Sequence, residues 1–216
     1  MKTDDLIVQL ARSARPVTPL RPPVVRAAWW FAAAVGVMIG AVVAIGPRAD
    51  LAAALGRPAF LGSIAVLLIA LASAAPAAFM LSVPGAGRSW ALHVLPVLAV
   101  AAWPAIWLVV LAEAGAPVVQ RPTPFHWACA IEIVLCALAT GGLLFAMVSR
   151  AAPLRPGWTA VVASLAGIAA GAAATQVICP LDDPRHQLIG HVLTAVVVLG
   201  AGLLGGRRAL ETWRRP

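Results

Sequence analysis

AAWWFAAAVGVMIGAVVAIG, running from Ala27 to Gly46, holds 20 residues without a single charge. At about 1.5 Å of rise per residue the run is about 30 Å long as a helix, which matches the hydrocarbon core of a bilayer. No water reaches that depth to satisfy backbone groups, so an isolated segment crosses as a helix. A polar segment of 26 residues precedes it. No small-residue cleavage site with a soluble domain follows. The run therefore reads as a retained first span and not as a cleaved leader.

Five further segments qualify by the same measure: Phe60 to Val83, Ala91 to Ala112, Trp127 to Val148, Trp158 to Ile178 and Leu188 to Gly206. Each connection is short and carries Pro, Gly or charge, as at Pro84-Gly85-Ala86-Gly87-Arg88 and Pro153-Leu154-Arg155-Pro156-Gly157. Composition agrees. Of 216 residues 62% are hydrophobic and 11% charged, and mean hydropathy is +0.93. A water-soluble fold of this size has no interior large enough to hide that much apolar surface. The expected fold is all-α, a bundle of six transmembrane helices over residues 27–206. A cytoplasmic N-terminal segment (1–26) and a basic cytoplasmic tail (207–216) flank it.

Orientation follows from Lys and Arg. Lys2, Arg12, Arg15, Arg21, Arg26, Arg88, Arg150, Arg155, Arg207, Arg208, Arg214 and Arg215 fall on one side, and Arg48, Arg57, Arg121 and Arg185 on the other. Twelve against four puts both termini in the cytoplasm. These cations flank helices instead of forming one patch, so the net charge of +8 implies topology and not direct nucleic-acid binding. Trp29, Trp30, Trp90 and Trp158 are expected at the cytoplasmic interface and Trp127 at the opposite one. Pro104 is expected to kink the third span, between Trp103 and Trp107. The pairs Gly36/Gly40, Gly167/Gly171 and Gly202/Gly206 have the small-xxx-small spacing that permits close helix packing.

Chemistry-bearing residues gather at the non-cytoplasmic end. Cys129 opens the fourth span and Cys179 closes the fifth. These spans run in opposite directions, so both thiols reach similar depth, as a disulfide or a two-thiol metal site requires. Cys136 lies about 10 Å deeper. His126, Cys129, Glu132 and Cys136 share a helical face. Glu132, the one acidic residue well inside a span, is expected to face the bundle interior. Asp182, Asp183 and His186 follow Cys179, with His191 beyond. Thiolate, imidazole and carboxylate together suit soft or borderline metal ions. There is no C-x-x-C of the thiol-oxidoreductase kind, which favours a sensor pair over a catalytic one.

The N-terminus carries a second pattern. Thr3 is a candidate N-cap, with Asp4 and Asp5 in the first turn, and Leu6, Ile7 and Leu10 share a face. So short a helix gains stability from a partner groove or a bilayer surface. Pro16, Pro19, Pro22 and Pro23 form a semi-rigid tether behind it.

Taken together, several stretches resemble the NrsF-type negative regulators of sigma F, over essentially the whole chain. They are Lys2-Thr3-Asp4-Asp5-Leu6-Ile7 with Pro16-Val17; Cys129 with Glu132-Ile133; Arg150-Ala151-Ala152-Pro153; and Cys179-Pro180-Leu181-Asp182 followed by His186 and His191. The resemblance implies a six-helix inner-membrane anti-sigma factor, not an enzyme and without a resident cofactor. Such a protein holds an extracytoplasmic-function sigma factor through cytoplasmic segments. It releases that partner when periplasmic cysteines meet heavy metal, through transient ligation, or oxidative stress. The sensing pair would be Cys129 and Cys179, with His126, Glu132, Asp182, His186 and His191 in support. Leu6, Ile7 and Leu10 would contact the partner, with the loops around Arg88 and Arg150 as further contacts. The rival is a small membrane transporter or a quinone- or haem-linked redox protein using Glu132 and the histidines. That rival calls for more intramembrane polar residues than Glu132, His93 and His191.

Overall fold

A computed structural model describes residues 3–14, 19–83, 90–114, 127–151 and 153–212. The fold is 85% helical, with no strand among the described residues. The elements are α1 (Thr3–Ser13), α2 (Pro23–Ile45), the short α3 (Leu51–Ala54), α4 (Pro58–Met80), α5 (Ala91–Glu113), α6 (Trp127–Ser149) and α7 (Pro156–Ile178). A single turn, α8 (Pro184–His186), then runs through a π-helical turn (Gln187–Val192) into α9 (Leu193–Thr212). Helices α2, α4, α5, α6, α7 and the continuous run Pro184–Leu210 are long and apolar enough to cross a membrane. The chain is a multi-pass membrane protein.

Proline sets the helix starts. Pro23, Pro58, Pro156 and Pro184 each occupy the first helical turn, where the missing N–H costs nothing and the ring pre-sets φ. Helix α2 stops at Gly46, whose φ of +100° is open to glycine without strain, and Pro47 follows. Helix α7 stops before Pro180, with the Cys179 amide donating to the Thr175 carbonyl at 2.7 Å. Helix α5 continues through both Pro96 and Pro104.

The bundle is built around α7, which packs against α2, α4, α5, α6 and α9. Of its most apolar stretch 89% is buried, against 11% for α2. Small side chains make this possible: Ala160, Ala163, Ala166, Ala169, Ala170 and Ala173 are all buried, and helices in lipid associate where backbones approach closely. A Cβ added to Gly171 would lie 2.6 Å from the Ile133 carbonyl oxygen, and one on Gly167 2.8 Å from that of Ala137. Gly202 and Gly206 abut Ser164 and Phe145, whereas Gly36 and Gly40 have nothing within 4 Å. Two of the three glycine pairs are thus packing contacts and the third faces outward.

The span limits differ from expectation by up to four residues: α2 begins at Pro23 and not Ala27, α4 ends at Met80 and not Val83, and the last run extends to Pro184–Leu210. Trp30 also differs from expectation. It is fully buried, its indole N–H donating to the Thr140 carbonyl at 2.9 Å, while Trp29 stays 62% exposed. The indole of Trp30 is thus consumed by helix packing. Lys2, Arg15, Pro16, Val17, the loop from Pro84 to Arg88, Arg121, His126, Ala152, Arg214 and Arg215 lie outside the described residues.

Candidate metal centre

Four side chains from three segments meet at one end of the bundle. Cys129 projects from the first turn of α6, Cys179 follows the last residue of α7, His186 ends α8 and His191 lies in the π-helical turn. Their ligand atoms all lie within 4.8 Å of one another, and all four residues are buried. The Sγ atoms of Cys129 and Cys179 are 3.4 Å apart. Cys179 Sγ is also 3.4 Å from His186 Nε2. Both thiols are free.

The π-helical turn brings the histidines together. In a regular α-helix residues five apart point about 140° away from each other. In a π-helix the i to i+5 hydrogen bond stacks them. The His186 and His191 rings accordingly sit 5.0 Å apart, edge to face. Gly190 gives the His186 ring its space, since a Cβ there would lie 3.2 Å from the ring. Asp183 starts this segment, its carboxylate accepting from the amides of Arg185 and His186 at 2.8 and 3.1 Å, as an N-cap does. Gln187 donates to the Leu181 carbonyl and accepts from Gln176, both at 2.8 Å.

A second layer fastens the Cys179 segment to the α2–α4 connection. The Arg48 amide donates to the Val177 carbonyl at 2.9 Å, and its guanidinium donates to the Pro180 carbonyl at 3.1 Å. That guanidinium also pairs with Asp182 and Asp50, each at 2.7 Å. Arg57 bridges the same two carboxylates, reaching Asp50 at 2.7 Å. Hydrogen bonds to Asp50 and Asp182, against the opposing effect of burial, raise the Arg48 guanidinium above its ordinary range.

The donor set fits a tetrahedral soft or borderline ion. Two thiolates and two imidazoles at about 2.3 and 2.0–2.1 Å from a shared centre span edges of about 3.3–3.8 Å; two separations here are 3.4 Å and the whole set lies within 4.8 Å. His191 gives the strongest indication. It is fully buried, neither ring nitrogen meets a partner at good hydrogen-bond geometry among the described residues, and the group it faces is the Cys179 thiol. A hydrogen bond from Cys129 holds the Cys179 thiol below its ordinary value. Burial opposes that shift and His186 adds to it. The thiolate is the form that ligates and reacts, and Cys179 is the thiol of the pair that accepts from its neighbour.

Other residues anticipated from sequence sit elsewhere. Asp182 belongs to the arginine network. Glu132 is half-buried on α6, with Oε2 unpartnered among the described residues, and is not one of the four clustered ligands. Cys136 is buried away from them. Leu6, Ile7 and Leu10 are exposed on α1, where no residue is buried. Arg48, Asp50, Arg57, Gln176 and Gln187 were not anticipated. Gln176 carried a readable signal, a polar amide within a span.

A six-helix membrane bundle with a buried thiol–imidazole cluster at one end defines a class of membrane protein with a soft-ligand site. The sequence profile of the family described as negative regulator of sigma F matches residues 10–213. The chain belongs to that family, and as a negative regulator of a sigma factor it is an anti-sigma factor. No curated protein and no solved structure matches it.

Proposed function

We propose that this anti-sigma factor lies in the bacterial inner membrane with both termini in the cytoplasm. There it holds an extracytoplasmic-function sigma factor, and it releases that partner when Cys129 and Cys179 respond to heavy-metal or oxidative stress. The observation that carries the reading is the buried cluster of Cys129, Cys179, His186 and His191. The twelve-to-four distribution of basic residues supports an outward-facing cluster. Metal ligation accounts for all four side chains. Oxidation of the pair to a disulfide accounts for the thiols and gives the two histidines no role.

Ligand capture would draw together the start of α6, the end of α7 and the π-helical turn. Helices α6 and α7 are locked backbone to backbone at Gly167 and Gly171, so a shift at one end is carried along both toward the cytoplasm. Release then requires that the ligated packing bind the sigma factor less well than the free packing. Exposed Leu6, Ile7 and Leu10 on α1 suit a partner groove.

The test is a Cys129→Ser/Cys179→Ser variant in a strain carrying a reporter for sigma F-dependent transcription. Repression is expected to persist without stress and induction by cadmium or peroxide to be lost. Induction at the unmodified level by both agents would sink the sensor assignment.

A further inference from the structure

A second concave site lies at the opposite end of the bundle. Where α2 begins and α6 ends, Arg21, Arg26 and Arg150 line a cavity of about 400 Å³ together with Leu20, Trp29 and Met147. Arg26 is 8% exposed. Its guanidinium donates to the Met147 carbonyl and lies 4.7 Å over the Phe79 ring. Neither partner carries a negative charge, and Arg150 adds a repelling cation. No carboxylate lines the cavity, and among the described residues neither Arg21 nor Arg150 has an ion-pair partner. The thiol end is the contrast, because Arg48 and Arg57 there are matched by Asp50 and Asp182. A buried cation without a counter-charge is costly at a membrane boundary, so the cavity is short of an anion.

Its position identifies the anion. The first turns of α2 and the last turn of α6 lie at the rim of the apolar spans, at headgroup depth. Trp29, which lines the cavity, is 62% exposed. In a spanning helix such a surface faces lipid, so the cavity opens sideways toward the bilayer. Planar guanidinium groups match phosphate oxygens in pairs, and basic pockets between transmembrane helices hold anionic headgroups. We infer that Arg21, Arg26 and Arg150 form a binding site for the phosphate of an anionic phospholipid, wedged between α2 and α6. The site stands apart from the thiol cluster and does not depend on sensing.

Native mass spectrometry of the full-length protein, released from detergent with equimolar phosphatidylglycerol and phosphatidylcholine, tests it. Phosphatidylglycerol adducts are expected to exceed phosphatidylcholine adducts by roughly tenfold or more. That preference should be lost in Arg21→Gln/Arg150→Gln and largely retained in Arg21→Lys/Arg150→Lys. Arg26 is left intact because it also ties α2 to α6. Equal adducts from the two lipids overturn the assignment. So does displacement of phosphatidylglycerol by inorganic phosphate, which would make the ligand a soluble anion. If the glutamine variant keeps its lipid but no longer co-purifies with the sigma factor, the arginines face an acidic surface of that partner, and the lipid site falls.

Discussion

His191 concentrates the argument at the scale of a single residue. A buried ring without a well-formed hydrogen bond, facing the Cys179 thiol, costs about 1–3 kcal/mol relative to a satisfied state. A ring of similar size without nitrogens would relieve that cost. The variant His191→Phe is therefore expected to leave the metal-free protein as stable as before, or more so. If the ring is a ligand, cadmium affinity should fall at least tenfold, on the order of the loss for disturbing a metal ligand's surroundings. The thiolate-to-cadmium absorption band reads this directly on purified protein. Unchanged affinity would return His191 to a packing role. The induction by peroxide, which needs only the two thiols, should survive.

At the scale of the element, α7 bears the tightest constraint. Gly171 and Gly167 touch α6 backbone, and a methyl group at 171 would also lie 3.2 Å from the Ile133 Cα. Backbone cannot yield as a flexible side chain can, so Gly171→Ala must part the two helices. Overpacking of this kind costs about 1–3 kcal/mol. The same change at Gly36, with nothing within 4 Å, should be neutral. Thermal unfolding in detergent compares the two, and equal melting temperatures would refute the close-packed α6–α7 seam. The π-helical turn is the other decisive element. It rotates His191 onto the side of His186, which an α-helix of the same sequence would not do.

Across the whole molecule, the two ends are electrostatically unlike. One is a matched network of Arg48, Asp50, Arg57 and Asp182, joining residues as much as 134 positions apart. Hydrogen bonds from Arg48 and then Arg57 hold the Asp50 carboxyl well below the usual carboxylate range. A carboxyl depressed in the folded state stabilises the fold above its ordinary value and loses that contribution as pH falls toward the folded one. The Asp50→Asn variant should thus melt below the unmodified protein at pH 7. The gap should stay constant down to about pH 5 and narrow below about pH 4. Asp50 is partly exposed to solvent, so the effect is modest. A gap that does not change with pH would show that the network contributes through shape alone. The other end collects arginines without matching carboxylates around the α2–α6 cavity.

What the sequence determined by itself follows from local physics. A helix in lipid must be long, apolar and self-satisfied in its backbone, and each condition is met within some 20 consecutive residues. Six spans were therefore legible. So was the shared depth of Cys129 and Cys179, which alternation of direction imposes on consecutive helices. The Gly167/Gly171 seam was legible as packing, though not its partner, the backbone of α6. Tertiary structure alone decided that α7 is the central helix, because burial in a bundle depends on which faces meet. It alone decided that Asp182 belongs to Arg48 and Arg57 and not to the thiols. It alone brought His186 and His191 to one side of their helix. That last placement rests on a change of helical period over six residues, held by the capping of Asp183 and the Gln176–Gln187 contact. The sequence grouped the two histidines with the thiols by their position in the chain, but 3.6 residues per turn does not by itself turn both rings to one side.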